Sequence, residues 1–162
     1  MQQEIHDMGS TMSPDMTRSS YTMLGINLAV SLAIMYVGMF AMIYSLGEFI
    51  QNINFVYMAL VMWAPMSSLM LLTMGSMYAN KRLNIVLHAA FALVFVLSFV
   101  GIRKQGLVGN SQFLRSMIPH HSGAILMCEK ATLTDPEIKR LCTGIIDGQK
   151  AEIAEMKALL AR

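Results

Sequence analysis

The residues best suited to chemistry sit in one short string, Met117-Ile118-Pro119-His120-His121, followed shortly by Met127-Cys128. On a helix, Met117 lies three residues from His120 and four from His121, so its sulfur approaches both imidazoles. His120 and Met127 stand two turns apart on one edge of that helix. Two imidazoles and one or two thioethers, with no carboxylate nearby except Asp147, suit Cu(I), Cu(II) or Ag(I) rather than a hard ion. A ferritin-like di-iron centre wants Glu-x-x-His repeats, and Glu152-x-x-Glu155 is not one. The plain alternative is an ordinary histidine pair, one packed and one solvated, and the flanking sulfurs weigh against it.

Other candidate ligands are scattered along the chain. His6, Met8, Met12 and Met16 lie in an acidic, proline-containing tail and are able to wrap a soft monovalent ion without a prior fold. Met58, Met62, Met66, Met70, Met74 and Met77 recur in one apolar stretch, and Met35, Met39 and Met42 repeat the pattern upstream. Residues four apart on a helix drift by about 40° per step, so the first five form a slanted ridge. Packing is the preferred reading of that ridge, because methionine fills gaps well; a metal-facing thioether track is the alternative. His88, an ionisable group inside an apolar run, is a further candidate. Cys128 and Cys142 lie nearly level in the hairpin derived below. They are read as a disulfide, a thiolate pair for Cu(I), or two small buried hydrophobes, the last being favoured.

These residues must be positioned by helices. The chain has 162 residues, 55% hydrophobic and 14% charged, with 17 methionines. Soluble domains average about 45–50% apolar and about 25% charged, so a soluble enzyme is excluded. A net charge of +2 without a basic run gives no footprint for nucleic acid. Between Arg18 and Lys81 the only charged residue is Glu48. Crossing about 30 Å of hydrocarbon takes about 20 apolar residues, which predicts spans over 24–46, 55–78 and 83–102. Tyr21, Tyr44, Tyr57 and Tyr78 fall near the span ends, as an aromatic belt does, and Pro65 interrupts the second span. A cleaved signal peptide fits the first span poorly, since no basic segment opens the chain. The first interhelical loop has no basic residue and the second has Lys81 and Arg82. This favours a cytoplasmic second loop and an extracytoplasmic C-terminal domain, with Arg103 and Lys104 counting against it.

After Lys104 the composition changes, with 13 of the last 58 residues charged. Ser111 is the expected N-cap of a helix reaching about Ala131, and Thr134-Asp135-Pro136-Glu137 caps a second helix reaching Leu160. Both carry apolar residues at helical spacing on one face. The expectation is an all-α protein: a tail over 1–19, a three-helix membrane domain over 20–104, and an antiparallel two-helix hairpin over 105–162. One hairpin is half of a ferritin-like four-helix bundle, completed by dimerisation. In that hairpin Asp147 and Gly148 are expected opposite His121 and His120, with Met156 in a second site or reserved for the partner copy.

The stretch from Phe113 to Met127, containing Met-Ile-Pro-His-His-x-x-Ala-Ile-x-Met, together with Gln149 to Met156, resembles the domain of unknown function 305 family over about 108–160. The resemblance implies exported or membrane-attached bacterial helical bundles, some of which bind copper and support copper tolerance. It implies Met117, His120, His121, Met127 and Met156 as metal ligands. Longer members carry more than this single hairpin, and three preceding spans resemble a membrane-anchored subtype.

The leading expectation is a non-enzymatic protein of the bacterial inner membrane, multi-pass, that sequesters or hands on copper, or silver, outside the cytoplasm. Its partners would be lipid, the ion, a second copy, and copper efflux or chaperone proteins. The runner-up is a transporter. Three spans, a Met-x-x-x-Met element and a methionine-bearing tail resemble the eukaryotic copper transporters, although the third span lacks their Gly-x-x-x-Gly motif. A structural dimerisation module without metal is the third reading.

Overall fold

A computed structural model describes the backbone of residues 14–162 and the side chains from residue 19 onward. Five α-helices and no strand are present among the described residues: α1 (Pro14–Gly38), α2 (Ile53–Thr73), α3 (Lys81–Lys104), α4 (Asn110–Lys130) and α5 (Pro136–Leu160). Three of them, Ser19–Gly38 within α1, all of α2 and all of α3, are long and apolar enough to cross a membrane. His6, Met8 and Met12 lie outside the described residues, as does the Met16 side chain.

The helix borders follow from capping chemistry. Asn52 Oδ1 accepts from the Phe55 backbone N–H at 2.9 Å and starts α2, and Asn80 Oδ1 accepts from Leu83 N–H at 3.0 Å and starts α3. Asp135 accepts from the N–H groups of Glu137 and Ile138, with Pro136 in the first turn where its missing N–H costs nothing. At α4 the expectation is off by two residues, since Gly109 and not Ser111 is the N-cap.

The first span departs further. An unbroken apolar run predicts helix to residue 46, but α1 stops at Gly38 and starts at Pro14, inside the expected tail. Beyond Gly38 the chain tightens into turns, with Phe40 N–H bonded to Val37 O at 3.0 Å and Ala41 N–H to Gly38 O at 3.0 Å. Phe40 is then buried against Phe49 and Phe55, at ring-centroid distances of 4.1 Å and 4.8 Å. Residues 39–46 are apolar because they build this aromatic junction, and hydrophobicity alone does not distinguish such a junction from a span. The second span ends at Thr73 instead of residue 78, and a short 3₁₀ turn, Gly75–Met77, follows.

α2 and α3 pack closely around Ala64, Leu71, Tyr78 and Phe91, with Leu24 of α1 completing the cluster. Trp63 and Phe91 meet edge to face at 5.5 Å. Tyr21 near the start of α1 donates to Asn84 Oδ1 at 2.7 Å, so the start of α1 and the α2–α3 turn share one end of the bundle. The α1–α2 loop and the hairpin share the other end. The hairpin is crosslinked, because Cys128 and Cys142 are joined by a disulfide with Cα atoms 5.3 Å apart.

The α1–α2 loop and the start of α2 are seated on the hairpin by polar contacts. Gln112 Oε1 accepts from Ile53 N–H at 3.0 Å, and Asn54 Nδ2 donates to Ser116 Oγ at 3.1 Å. Glu48 is buried, accepts from the Ser122 hydroxyl and from Ser45 N–H, and lies 3.7 Å from Lys157 Nζ. A Cβ at Gly123 would stand 3.5 Å from the Met42 carbonyl oxygen, so a small residue lets the loop lie against α4. These contacts fix how the histidine-bearing helix stands over the three apolar helices.

Candidate metal site

Pro119 sits inside α4, where it has no N–H to give the Arg115 carbonyl, and it is followed at once by the histidine pair. Ile118 and Ile125 of α4 are buried against Ile153 and Met156 of α5, and Met117 and Leu114 pack on that cluster. Helical geometry then places the two imidazoles differently. His120 is exposed and His121 half-buried, with ring centroids 6.0 Å apart.

His121 has an unusual setting. Its Nδ1 stands 3.4 Å from Glu152 Oε2, within ion-pair range. The contact lacks hydrogen-bond geometry, and the buried Nδ1 has no hydrogen-bond partner. Gln149, one turn before Glu152 on α5, donates to the same Oε2 at 3.4 Å and leaves its own buried Oε1 unpartnered. The His121 pKa is lowered, chiefly because burial penalises the charged ring; Glu152 pulls it up and His120 pushes it further down. A neutral imidazole with a free ring nitrogen is the form that binds metal.

Of the five residues implied as ligands, Met117, His120 and His121 share one stretch of α4. Met127 is on the exposed side of the same helix, with 54% of its surface accessible, and Met156 is buried at 8%. Met156 is part of the core on which Met117 packs. Cys128 and Cys142 are corrected from free hydrophobes or thiolate ligands to a disulfide, which leaves neither sulfur as a thiolate. Asp147 is also corrected. It is exposed, and the carboxylate beside His121 is Glu152. The five residues from Cys142, which faces α4, to Asp147 turn the helix by about 140°, whereas Glu152 returns to within about 80° of that face.

His88 is not near the hairpin. Its Nδ1 lies 2.6 Å from Ser68 Oγ, between α3 and α2. In the methionine ladder, Met58, Met62 and Met66 are exposed, and Met70 packs on the three-helix core. Among the described residues no group of three or more His, Cys, Asp or Glu side chains is arranged to hold a metal.

Sequence reasoning missed Glu152 as the His121 neighbour and missed the seat formed by Glu48, Ser122, Ser116 and Gln112. One signal for the seat was visible: Glu48 is the lone acid between Arg18 and Lys81, and an isolated charge in an apolar region needs a partner.

The family model described as "Domain of unknown function (DUF305)" matches residues 103–160. An uncharacterized protein of Acanthamoeba polyphaga mimivirus is 33% identical over 118 residues, covering 72% of this chain and 76% of the viral protein. That similarity is longer than the hairpin and takes in part of the three-helix region before it. No solved structure matches the chain.

Proposed function

This chain belongs to the DUF305 family, and from that premise we propose that it is a membrane-anchored protein that binds Cu(I) or Ag(I) on its hairpin and hands the ion on without chemical change. The observation that carries this reading is the His121 ring. A buried nitrogen without a hydrogen-bond partner costs free energy unless something binds it. The neighbours available on α4 are the exposed imidazole of His120, a ligand type that suits copper, and the soft thioether of Met117. Met127 adds a sulfur from the exposed side, and Met156 supports Met117 from within the core. Such a set of imidazole and thioether donors suits a monovalent soft ion that must later leave, because no thiolate holds it; the Glu152 carboxylate stands beside the His121 ring.

The hairpin is assigned to the extracytoplasmic side. Its disulfide fits an oxidising compartment, and the lack of basic residues in the α1–α2 loop, on the same side, agrees. A second copy covering the exposed Ile138 and Leu141 of α5 would complete a four-helix bundle.

The test is a Cu(I) titration of the detergent-solubilised full chain against a competing chelator. The wild type is expected to hold one equivalent on the hairpin. Replacing His120 and His121 by Ala should weaken that equivalent at least ~100-fold, the effect of losing about 2.7 kcal/mol or more. An unchanged titration overturns the assignment.

A further inference from the structure

The methionines of the membrane domain do not all face outward. Between α1 and α2 lies a groove of about 350 Å³ whose walls include Met35 from α1 and Met66 and Met70 from α2, with Asn27, Ser31 and Trp63 beside them. Met66 and Met70 are one turn apart on one helix, and Met35 reaches the same groove from the other. Three methionines from two helices thus line one groove, which a ladder that merely fills lipid-facing surface does not require.

The polar residues around the groove point the same way. Trp63 Nε1 donates to the Leu28 carbonyl at 2.9 Å, which pins the indole at the groove wall. Ser31 donates to the same carbonyl at 3.0 Å. Asn27 has no such anchor. Its amide makes no hydrogen bond among the described residues, although it lies eight residues into the apolar segment that begins at Ser19, about 12 Å along the helix axis. A polar side chain left in hydrocarbon without a partner is expensive and marks a functional site by default. Asn27 lies nearer the α2–α3 turn, and Met35 nearer the hairpin end. The groove therefore has its polar end on the face of the membrane away from the hairpin.

We propose that this groove is an intramembrane binding site for a soft monovalent cation, Cu(I) or Ag(I), held by the sulfurs of Met35, Met66 and Met70, with the Asn27 amide oxygen at its entrance. Thioethers are neutral and polarisable, so they replace the hydration of a soft ion without adding charge to the membrane interior. They offer nothing comparable to Na⁺, K⁺ or Mg²⁺, which want oxygen ligands. The electron-rich indole of Trp63 forms one wall and favours a cation. The site is separate from the hairpin and does not depend on that domain binding metal.

The experiment is an Ag(I) and Cu(I) titration of the detergent-solubilised full chain, combined with X-ray absorption of the bound copper. In a background with His120→Ala and His121→Ala, one equivalent with sulfur and no imidazole nitrogen around the copper is expected. Met35→Leu, Met66→Leu and Met70→Leu together should weaken it at least ~10-fold, while the same three changes in the otherwise wild-type chain leave the hairpin equivalent in place. Met66→Leu alone, at an exposed position that tolerates substitution, should weaken it severalfold and serves if the triple variant fails to fold. An equivalent that survives all three Leu changes but disappears on Met8→Leu, Met12→Leu and Met16→Leu belongs to the tail and overturns the proposal. So does the absence of any sulfur-only equivalent in the histidine-free background. Loss of binding in the histidine variants with the groove equivalent intact, or the reverse, separates the hairpin reading from this one.

Discussion

Met117 and Met156 turn toward the hairpin core, whereas Met58 and Met62 stand exposed on α2. Both sets have helical spacing. In the hairpin the opposite helix face is polar or loop-facing, with Gln112, Ser116 and Ser122 bonded to the α1–α2 loop and the start of α2, so only one orientation buries apolar surface. Along α2 nearly every face is apolar, and packing against α3 decides which residues turn in: Ala64, Ser67 and Leu71 do, at three- and four-residue spacing. Spacing tells which side chains share a face. Contrast between faces tells whether that face is inward, and α2 supplies little of it.

The largest effect should come from the hairpin core. Ile118 and Ile125 have essentially no exposed surface, so Ile118→Ala or Ile125→Ala should destabilise the hairpin by about 2–5 kcal/mol. Met62→Ala, at a position half exposed on the outside of α2, should change stability far less. Denaturant titration of the purified full chain, followed by helical circular dichroism, measures both. Equal losses would mean that the ladder is packed against something, a second copy included, and would erase the contrast.

The next effect is the crosslink. Replacing Cys128 and Cys142 by Ser removes a bond that closes a 14-residue separation, and the cost should be about 3 kcal/mol. Reduction of the wild type should reproduce the loss, and a membrane-domain variant such as Met58→Leu should leave the reduction-dependent shift unchanged. A pair of Ser variants as stable as the wild type would show that the oxidised bond contributes nothing to the hairpin.

A third effect lies at the junction of the two regions. Glu48→Ala leaves the buried Ser122 hydroxyl without its acceptor and Lys157 without its nearby carboxylate, which should cost about 1–3 kcal/mol. Protease cleavage in the α1–α2 loop should rise accordingly. If cleavage and stability are both unchanged, the loop is not held by this carboxylate.

Much of this architecture was readable because it rests on local chemistry. Asp135-Pro136 marks the start of α5 to the residue, and the charge-free stretches mark the three helices long and apolar enough to cross a membrane. The end of α1 was not readable, because Phe40 leaves the helix to meet Phe49 and Phe55, and that long-range aromatic contact has no periodic signature. The His121 neighbour was misassigned for a related reason. Level position in a hairpin is set by the turn, but facing is set by helical phase, which selects Glu152 over Asp147. The two cysteines could be placed level with each other, yet the bond between them depends on how closely α4 and α5 approach. Convergence of Met35 with Met66 and Met70 likewise depends on how α1 leans on α2.

The smallest effect separates the two exposures of the histidine pair. Burial lowers the His121 pKa from its ordinary value of 6.5, with Glu152 only partly opposing the shift. The folded hairpin then binds the His121 proton less readily than the unfolded chain does, so stability must rise with pH across that range. The contribution is complete above the unfolded value and is lost as pH falls below 6.5 and through the lowered folded value. In metal-free protein, denaturation midpoints measured from pH 7.5 down to pH 5 should therefore fall for the wild type. His121→Gln should flatten that part of the decline, while His120→Gln, which removes only the smallest of the influences on His121, should leave most of it in place. A decline that follows His120 instead would assign the buried role to the wrong ring and invert the contrast between the two histidines.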